Sequence, residues 1–316
     1  MTWLITGGAG YIGAHVVRVF RDAGESVVVL DDLSAGVRAR VPEDVPFYEG
    51  SVLDADLLDL VMGSHAIVGV VHMAGKKSAP ESVREPELYA HVNTDGTSVL
   101  LDACLRHAVR HFVFSSTAAV YGMVDSAAPI TEDAPTIPIN PYGQTKLDAE
   151  HVLEKATTSG EIDAIAFRYF NVGGAASVEL EDLHGENLLP ILYRALDTHS
   201  PVQVFGVDLP TRDGSCIRDY VHVQDIAEAH LAAAGYLMSG ARQAYEVVNL
   251  GSGKGSTVLE VIAAVERVTG RSIDWQAAAP REGDPVASTC DATRASELLG
   301  WHASRTLDEI AARPSA

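Results

Sequence analysis

A glycine-rich string between an apolar run and a helical segment constrains the fold most. Residues 3–5 are apolar, and residues 6–13 follow with Gly8, Gly10 and Gly13 at the spacing G-x-G-x-x-G. Residues 14–23 then have a helical composition. Glycines at this spacing let the backbone approach a diphosphate, while the helix N-terminus offers free N–H groups and the positive end of its dipole. The string predicts a strand, a turn and a helix that hold a dinucleotide.

The next strand predicts which dinucleotide. Residues 26–30 form a continuous apolar run of the kind found in strands buried on both faces of a parallel sheet. The run ends at Asp31 and Asp32, and Asp31 lies 18 positions after Gly13, near the usual spacing of about 20. A carboxylate there accepts a hydrogen bond from the adenosine ribose and repels a 2′-phosphate. NAD is therefore favoured over NADP.

Strand-like and helical segments go on alternating as far as residue 171. This order predicts an α/β fold with a doubly wound parallel Rossmann sheet and a smaller C-terminal α/β domain. We expect residues 1–172 to form the first domain, with 222–250 returning to it, and 173–221 and 251–316 to form the second. Within these, we expect a mostly helical segment over 86–108, a polar loop over 208–219 and a last helix over 291–299.

Tyr142 and Lys146 stand four residues apart just after Pro141, which fits a first helical position. On a helix this spacing puts both side chains on one face, about one turn apart. A free phenol has a pKa of about 10, and a nearby ammonium favours the phenolate. The pair can therefore move a proton near neutral pH. Ser115 and Thr117 end the apolar strand before it, where ligands bind in open α/β sheets.

Composition excludes several kinds of partner and cofactor. The net charge of −20 argues against nucleic acid and anionic membranes, and no apolar run could span a bilayer. The apolar start at residues 2–5, with no basic region before it, predicts no signal peptide. The three cysteines and the histidines show no metal-ligand spacing, and the cysteines favour a reducing compartment. We expect a cytoplasmic protein without a metal.

The motifs as a set resemble those of the extended short-chain dehydrogenase/reductase family, and within it the enzymes that epimerise UDP-hexoses at C4. The matching strings are residues 6–13, 114–122, 141–146, 168–171, 218–223 and 280–284. The resemblance implies NAD-dependent oxidation and re-reduction at sugar C4, through a 4-keto sugar, that interconverts UDP-galactose and UDP-glucose. It makes Tyr142 the base, acting directly or through Thr117, and Lys146 the residue that holds the nicotinamide ribose and lowers the tyrosine pKa. It also implies a homodimer.

The resemblance assigns ligand contacts residue by residue. It assigns NAD to Gly7, Gly10, Tyr11, Ile12, Gly13, Asp31, Asp32, Leu33, Ser34, Ser51, Val52, Met73, Ala74, Gly75, Lys77, Asn93, Ser115, Tyr142, Lys146 and Tyr169. It assigns the UDP-hexose to Lys77, Thr117, Tyr142, Asn171, Asn187, Leu188, Gln203, Phe205, Arg218, Arg281, Asp284 and Ser288. The arginines suit a diphosphate, because a guanidinium binds phosphate through two parallel hydrogen bonds.

Three positions depart from common family members: Thr117 stands where serine is frequent, Ser51 where aspartate is frequent, and Ser288 where some members carry a tyrosine. A small residue at 288 leaves room for an N-acetyl group, so epimerisation of UDP-N-acetylhexosamines, dual specificity or action on UDP-uronates stays open. A 4,6-dehydratase is disfavoured because Ala118 and Ala119 replace its acid pair. A non-catalytic NAD-binding regulator would not need Tyr142, Lys146 and Thr117. The long C-terminal region with its arginines disfavours a simple alcohol dehydrogenase.

Overall fold

The main sheet contains seven parallel strands in the order β10-β6-β5-β4-β1-β2-β3. The protein is described by a computed structural model over residues 1–124, 128–183, 186–240, 244–281 and 283–314. The strands are β1 Thr2–Thr6, β2 Ser26–Asp31, β3 Phe47–Glu49, β4 Ile67–His72, β5 His111–Thr117, β6 Asp163–Tyr169, β7 Asn171–Gly173, β8 Val202–Phe205, β9 Ile217–His222, β10 Tyr245–Leu250, β11 Gly255–Thr257, β12 Trp275–Ala278 and β13 Ala287–Ser288.

Helices cover both faces of this sheet. The α-helices of the described chain are α1 Tyr11–Asp22, α2 Ala55–Ser64, α3 Ala79–Arg84, α4 Pro86–Tyr89, α5 Gly96–Arg106, α6 Pro141–Thr157, α7 Leu188–Thr198, α8 Val223–Met238, α9 Val258–Thr269, α10 Thr293–Leu299 and α11 Leu307–Ala311. The strand order turns back between β1 and β4, and in such sheets ligands bind outside the carboxyl ends of the strands at that point. The predicted α/β doubly wound parallel sheet is confirmed.

Alternation along the buried strands explains why both faces are covered. Ile5 and Val113 point to one face, where they join the cluster that includes apolar residues of α1 and α8. Leu4 and Phe112, each one residue earlier, point to the other face and join a cluster with residues of α2, α5 and α6. Because successive side chains of a strand point to opposite faces, a strand apolar at every position needs helices on both sides.

The second half of the chain builds a smaller unit around β9. Strand β9 pairs with β7, β11 and β13, while β8 pairs with β12 in a separate two-stranded sheet. Apolar side chains of α7, α9 and α11 form one buried cluster with those strands, including Leu192, Val265 and Ile310. Strand β10 lies outside this unit, because it pairs with β6 at the edge of the main sheet.

The segment expected to be mostly helical over 86–108 is helical from Pro86 to Arg106, and Ala90–Asp95 forms a π-helical turn between α4 and α5. Two other sequence-based expectations are corrected. The loop expected over 208–219 ends earlier, since β9 begins at Ile217. The helix expected to be the last begins at Thr293, and α11 follows it with a capping box at Thr306. Among the described residues, no helix is long and apolar enough to cross a membrane.

Candidate functional site

The glycine-rich loop joins β1 to α1 in a backbone path that side chains would block. Gly7 has φ +70°, and a Cβ there would lie 2.6 Å from the amide nitrogen of Ala74. A Cβ at Gly13 would lie 2.1 Å from the carbonyl oxygen of Gly7. Gly10 is the N-cap of α1 and has no side chain to accept from the first-turn N–H groups. The loop therefore presents the open N-terminus of a long helix, where an anion is favoured.

The two acids at the end of β2 have different surroundings. Asp31 is buried, and its oxygens accept from the backbone N–H groups of Ala9 and Leu33, each at 2.9 Å. Burial raises the pKa of Asp31, and these two backbone hydrogen bonds lower it by less. Asp32 is exposed and accepts from Ser34 N and Oγ. Asp31 thus holds the glycine loop in place and keeps one lone pair on each oxygen for a ligand.

The ends of β3 and β4 bring further predicted cofactor residues to the same edge. Ser51 and Val52 follow β3, and Val52 is buried. The stretch from Met73 to Gly75 follows β4, and the Met73 N–H donates to the Thr6 carbonyl oxygen of β1. The stretch after β4 therefore lies beside the glycine loop, where a Cβ at Gly7 would meet Ala74, while Ser51 and Val52 lie at the same edge of the sheet after β3.

Asn93 lies in the π-helical turn and binds the loop after β4. Its Oδ1 accepts from Lys76 N at 2.8 Å, and its Nδ2 donates to Lys76 O and Thr145 Oγ1, each at 3.1 Å. Both N–H groups of the Asn93 amide are thus used within the protein. Its side chain connects the loop after β4 to α6, while the role in NAD binding stays a prediction.

Tyr142 and Lys146 lie in the first half of α6, whose N-cap is Asn140 with its side chain accepting from Gly143 N. The Tyr142 side chain lines the same cavity as Thr117 at the end of β5, and the Thr117 hydroxyl acts to lower the Tyr142 pKa. The Lys146 Nζ donates to Ser115 O at 2.8 Å and lies 4.9 Å from the centre of the Phe114 ring. The helix and the strand therefore bring the three predicted catalytic residues together.

Burial dominates the ionisation of this pair in the protein. It raises the pKa of Tyr142, while the hydrogen bond to Thr117 lowers it by less. It lowers the pKa of Lys146 to about 8, and the charge of Glu150 acts against that shift. The expected lowering of the tyrosine pKa is therefore not reached in the protein alone, because desolvation of a phenolate opposes it.

Tyr169, the last residue of β6, also lies at the carboxyl edge of the main sheet. Its hydroxyl lies 2.6 Å from Nε2 of His230, whose Nδ1 is 2.8 Å from Ile226 O. Burial raises the Tyr169 pKa, and it lowers the His230 pKa to about 4, so both side chains are neutral near pH 7.

A cavity of about 260 Å³ opens beside Tyr142 and Thr117. Six of the predicted ligand residues line it on the substrate side: Lys77, Thr117, Tyr142, Asn171, Asn187 and Leu188. Tyr11, Ile12 and Tyr169, predicted to contact the cofactor, also line it. The cavity therefore connects the start of α1 with the start of α6.

The other predicted substrate residues do not line this cavity; they lie on β8, β9 and β13 and in the turn before β13. Arg218 forms an ion pair with Asp284 and lies opposite Ser288 in the pairing of β9 with β13. The Arg281 guanidinium lies 3.9 Å from the centre of the Phe205 ring, and Gln203 lies exposed on the same strand, β8. Glu282, in the 280–284 string, lies outside the described residues.

Strand β9 connects this group to the cavity. Tyr220 lines the cavity and stands two positions after Arg218. Residues two apart on a strand point to one face, so the Arg218 side chain extends the same wall.

Several residues that line the cavity were not predicted from the sequence. They include Tyr193 on α7, Tyr220 on β9, and the pair Glu181 and Asp182. Arg313 lines it too, with its guanidinium 4.5 Å from the centre of the Tyr193 ring. The helical spacing of Tyr193 from Leu189 could have indicated its position, whereas Arg313 belongs to no motif. In the part of the chain that the structure describes, no group of acids, histidines and cysteines is arranged to hold a metal.

Comparison with known proteins decides the family. The model of the NAD dependent epimerase/dehydratase family matches residues 3–251. The chain belongs to this family. The family resemblance inferred from the motifs is thereby confirmed, and with it NAD as the cofactor on which the family depends.

Individual members of the family are similar over almost the whole chain. A UDP-glucose 4-epimerase of Azospirillum brasilense is 44% identical over 302 residues, which cover 94% of this chain and 86% of that protein. The UDP-glucose 4-epimerase of Stenotrophomonas maltophila, solved with NAD and formylated UDP-arabinopyranose, has a TM-score of 0.95 and 37% identity over 98% of this chain and 96% of that one. The Brucella ovis enzyme in complex with NAD has a TM-score of 0.94 and 39% identity, over 99% and 97% of the two chains.

Proposed function

We propose that this chain interconverts UDP-galactose and UDP-glucose by oxidation and re-reduction at sugar C4 through a 4-keto sugar. The observation that carries the proposal is that the Tyr142 and Thr117 side chains line one cavity, with Lys146 one turn along the helix from Tyr142. A phenol beside a second hydroxyl can take a proton from a sugar hydroxyl that reaches either group. The similar epimerases named above support the choice of a UDP-hexose.

The residues at the carboxyl edge of the sheet fit NAD. The backbone at Gly7 and Gly13 leaves no room for a Cβ, so the chain lies close around the N-terminus of α1, where a diphosphate is favoured. The free lone pairs of Asp31 suit a ribose hydroxyl, and the two adjacent carboxylates oppose a 2′-phosphate. When bound, NAD supplies the hydride acceptor and donor for C4, together with a positive charge.

Proton movement depends on Tyr142 and Thr117. The proton leaves the sugar 4-hydroxyl toward the Tyr142 oxygen, directly or through the Thr117 hydroxyl, which can accept one proton while it donates another. Because burial raises the Tyr142 pKa, the phenolate needs positive charge beside it. The ammonium of Lys146, fixed at Ser115 O, provides part of that charge.

The two arginines Arg218 and Arg281 suit the diphosphate of a UDP-sugar. Arg218 stands two positions before Tyr220, which lines the cavity, and the Arg281 guanidinium lies over the Phe205 ring of β8. A guanidinium binds phosphate oxygens through parallel hydrogen bonds, and an exposed Asp284 partner can yield to that bond. The sugar would then extend from the arginines past Asn187 and Asn171 to Tyr142.

One observation favours a second substrate class. Ser288 is half-buried and pairs in register with Arg218, so a small side chain stands beside the proposed diphosphate contact. A serine here leaves space for a substituent at sugar C2. We therefore include UDP-N-acetylhexosamines among the proposed substrates.

A specificity experiment tests both proposals. The purified protein is incubated separately with UDP-galactose and UDP-N-acetylgalactosamine, and the products are separated by chromatography. We expect both to be converted, and we expect Ser288→Tyr to keep the first conversion and lose the second. Conversion of neither sugar by protein that still holds NAD would contradict the proposed function. Equal conversion of both by Ser288→Tyr would contradict the assigned C2 space alone.

We further propose the domain division, oligomeric state and location predicted from the sequence. Residues 1–172 with 222–250 form the NAD-binding unit, and residues 173–221 with 251–316 form the UDP-sugar-binding unit. The pairing of β10 with β6 supports the assignment of 222–250 to the first unit.

A homodimer through the helices near Asn93 and Tyr142 is supported by the exposed Leu88 and Leu105. The three free, buried cysteines support a reducing, cytoplasmic location. Sedimentation of the purified protein tests the dimer.

A further inference from the structure

A buried ion pair lies behind the proposed catalytic helix. Glu150, on α6, accepts from Arg168, on β6, through Nε at 3.0 Å and through Nη2 at 2.6 Å. The side chains are 3% and 6% exposed, so water screens the two charges little. Neither residue lines the cavity, and the proposed reaction uses neither.

The pair is joined to the strand that ends at the cavity. The Ser116 hydroxyl donates to Glu150 Oε1, and Ser116 stands between the two residues of β5 that contact the catalytic side chains. On the other side, Arg168 Nη1 donates to the Tyr121 hydroxyl at 3.0 Å, and that hydroxyl donates to Asn249 Oδ1 at 2.7 Å. Glu150 therefore joins α6 to β5 and β6, and Arg168 is connected to Asn249 of β10 through the Tyr121 hydroxyl.

One member of this ion pair, Glu150, shares helix α6 with Lys146. Glu150 follows Lys146 by four residues, so the two side chains lie one turn apart on one face of α6. Arg168 belongs to a strand and approaches Glu150 from β6. Glu150, the negatively charged member of the ion pair, is therefore the one that lies on the same helix as Lys146.

We propose that Glu150, held by Arg168 and Ser116, is a positioning residue that keeps the Lys146 ammonium charged and aligned with Ser115 O. The inference rests on the proposed function, because it concerns the same proton transfer. Glu150 fixes α6 to β5 through Ser116, and so keeps Tyr142 opposite Thr117 as well. Without its charge, the ammonium would be buried beside the aromatic ring of Phe114 and a single carbonyl oxygen.

The other charged or titratable groups near Lys146 do not replace Glu150. Burial lowers the pKa of His72, on β4, to about 3, and that of His230, on α8, to about 4, so both rings are neutral. Burial raises the pKa of Tyr169, on β6, which keeps its hydroxyl neutral. Arg168 carries the same positive charge as Lys146, so it cannot favour the ammonium as Glu150 does. The charge of Glu150 is the influence that raises the Lys146 pKa against burial.

The test compares Glu150→Gln with Glu154→Gln in the protein that holds NAD. Glu154 lies one turn further along α6 and is exposed, so it controls for loss of a helix carboxylate. Lys146 loses its proton as the pH rises through its pKa, and removal of the Glu150 charge lowers that pKa. We expect the alkaline limb of the kcat profile to move about one pH unit lower in Glu150→Gln and to stay in place in Glu154→Gln.

Further variants separate positioning from stability. Glu150→Gln leaves Arg168 buried without its counter-ion, so Glu150→Gln with Arg168→Gln is the variant to use if the single one does not fold. Arg168→Gln also removes a positive charge near Lys146, so we expect an alkaline shift in the same direction but smaller in that double variant. Ser116→Ala keeps the ion pair, and we expect it to lower kcat about tenfold without moving the limb. A Glu150→Gln or double-variant profile that superimposes on that of the original protein would overturn the inference.

A readout without turnover keeps the inference distinct from the proposed function. The ultraviolet difference spectrum between the NAD-loaded protein and its Tyr142→Phe variant follows ionisation of Tyr142. We expect Glu150→Gln to move that ionisation to higher pH, because a less protonated Lys146 favours the phenolate less. An unmoved titration would overturn the inference even if epimerisation occurs. A moved titration would support it even if neither UDP-sugar is converted.

Discussion

Lys146 donates from Nζ to the main-chain oxygen of Ser115 at 2.8 Å, and this bond joins the helix of Tyr142 to the strand that ends at Thr117. Because this acceptor is a main-chain atom, rotation of the Ser115 side chain cannot remove it. The ammonium therefore has a fixed partner in a site where Lys146 is 5% exposed. The cost of burying it appears as a pKa lowered to about 8. We therefore expect activity near neutral pH to require protonated Lys146.

The Thr117 hydroxyl can be tested apart from the shape of its side chain. Thr117→Val removes the hydrogen bond that lowers the Tyr142 pKa and keeps the branched shape, whereas Thr117→Ser keeps the hydroxyl. We expect Thr117→Val to reduce kcat roughly 10–100-fold, the value of a hydrogen bond to a charged group. Thr117→Ser should stay within a few-fold of the original rate. Equal rates for the two variants would exclude the hydroxyl from the reaction.

Replacement of Lys146 should change the pH dependence as well as the rate. Lys146→Met removes the charge that favours the phenolate, so Tyr142 loses its proton only at higher pH. The acid limb of the kcat profile should then move to higher pH, while the alkaline limb near pH 8 that Lys146 causes should vanish. The profile is measured from pH 5 to 10 on protein with bound NAD. A variant that keeps both limbs would contradict the role given to Lys146.

Glycine substitutions test the fit of the loop to NAD. Gly13→Ala puts a Cβ 2.1 Å from the Gly7 carbonyl oxygen, and such overpacking costs typically about 1–3 kcal/mol. We expect the purified variant to hold little NAD. Gly235→Ala is the control, since a Cβ within α8 at that position meets nothing within 4 Å. It should hold NAD normally and raise the free energy of unfolding by up to about 1 kcal/mol.

Arg218 should act on substrate affinity. Arg218→Met removes a guanidinium two positions before Tyr220, which lines the cavity. We expect KM for UDP-galactose to rise roughly 10–100-fold, with a smaller change in kcat. Arg212→Met is the control, because Arg212 is exposed and pairs with Glu260, and neither residue lines the cavity. If both variants have the original KM, Arg218 does not bind the substrate diphosphate.

The fold and the centre of the site could be predicted because their signals are local. The Gly10 and Gly13 spacing and the Tyr142–Lys146 spacing each fall within one turn or one helix, where geometry follows directly from sequence separation. The position of Thr117 at the end of its strand followed in the same way. These are the residues that the structure brings together at one edge of the sheet.

The remaining features depend on distant parts of the chain. Tyr193, Arg313 and Tyr220 reach the cavity from α7, the segment after α11 and β9, and no motif connects them. The Tyr142 pKa could not be judged from its distance to Lys146, because burial has the larger effect. Asn93 lies in the π-helical turn at Ala90–Asp95, and its contacts with Lys76 and Thr145 became visible only in the folded chain.

The most direct test of the central claim is the rate at which NAD-loaded protein converts UDP-galactose to UDP-glucose, compared with Tyr142→Phe prepared in the same way. Bound NAD is measured in both after denaturation. We predict that the original protein converts UDP-galactose and that the rate is about 10²–10⁴-fold lower in Tyr142→Phe, with equal NAD content in the two proteins. Equal rates in the two proteins, or no conversion by protein that holds NAD, would contradict this prediction.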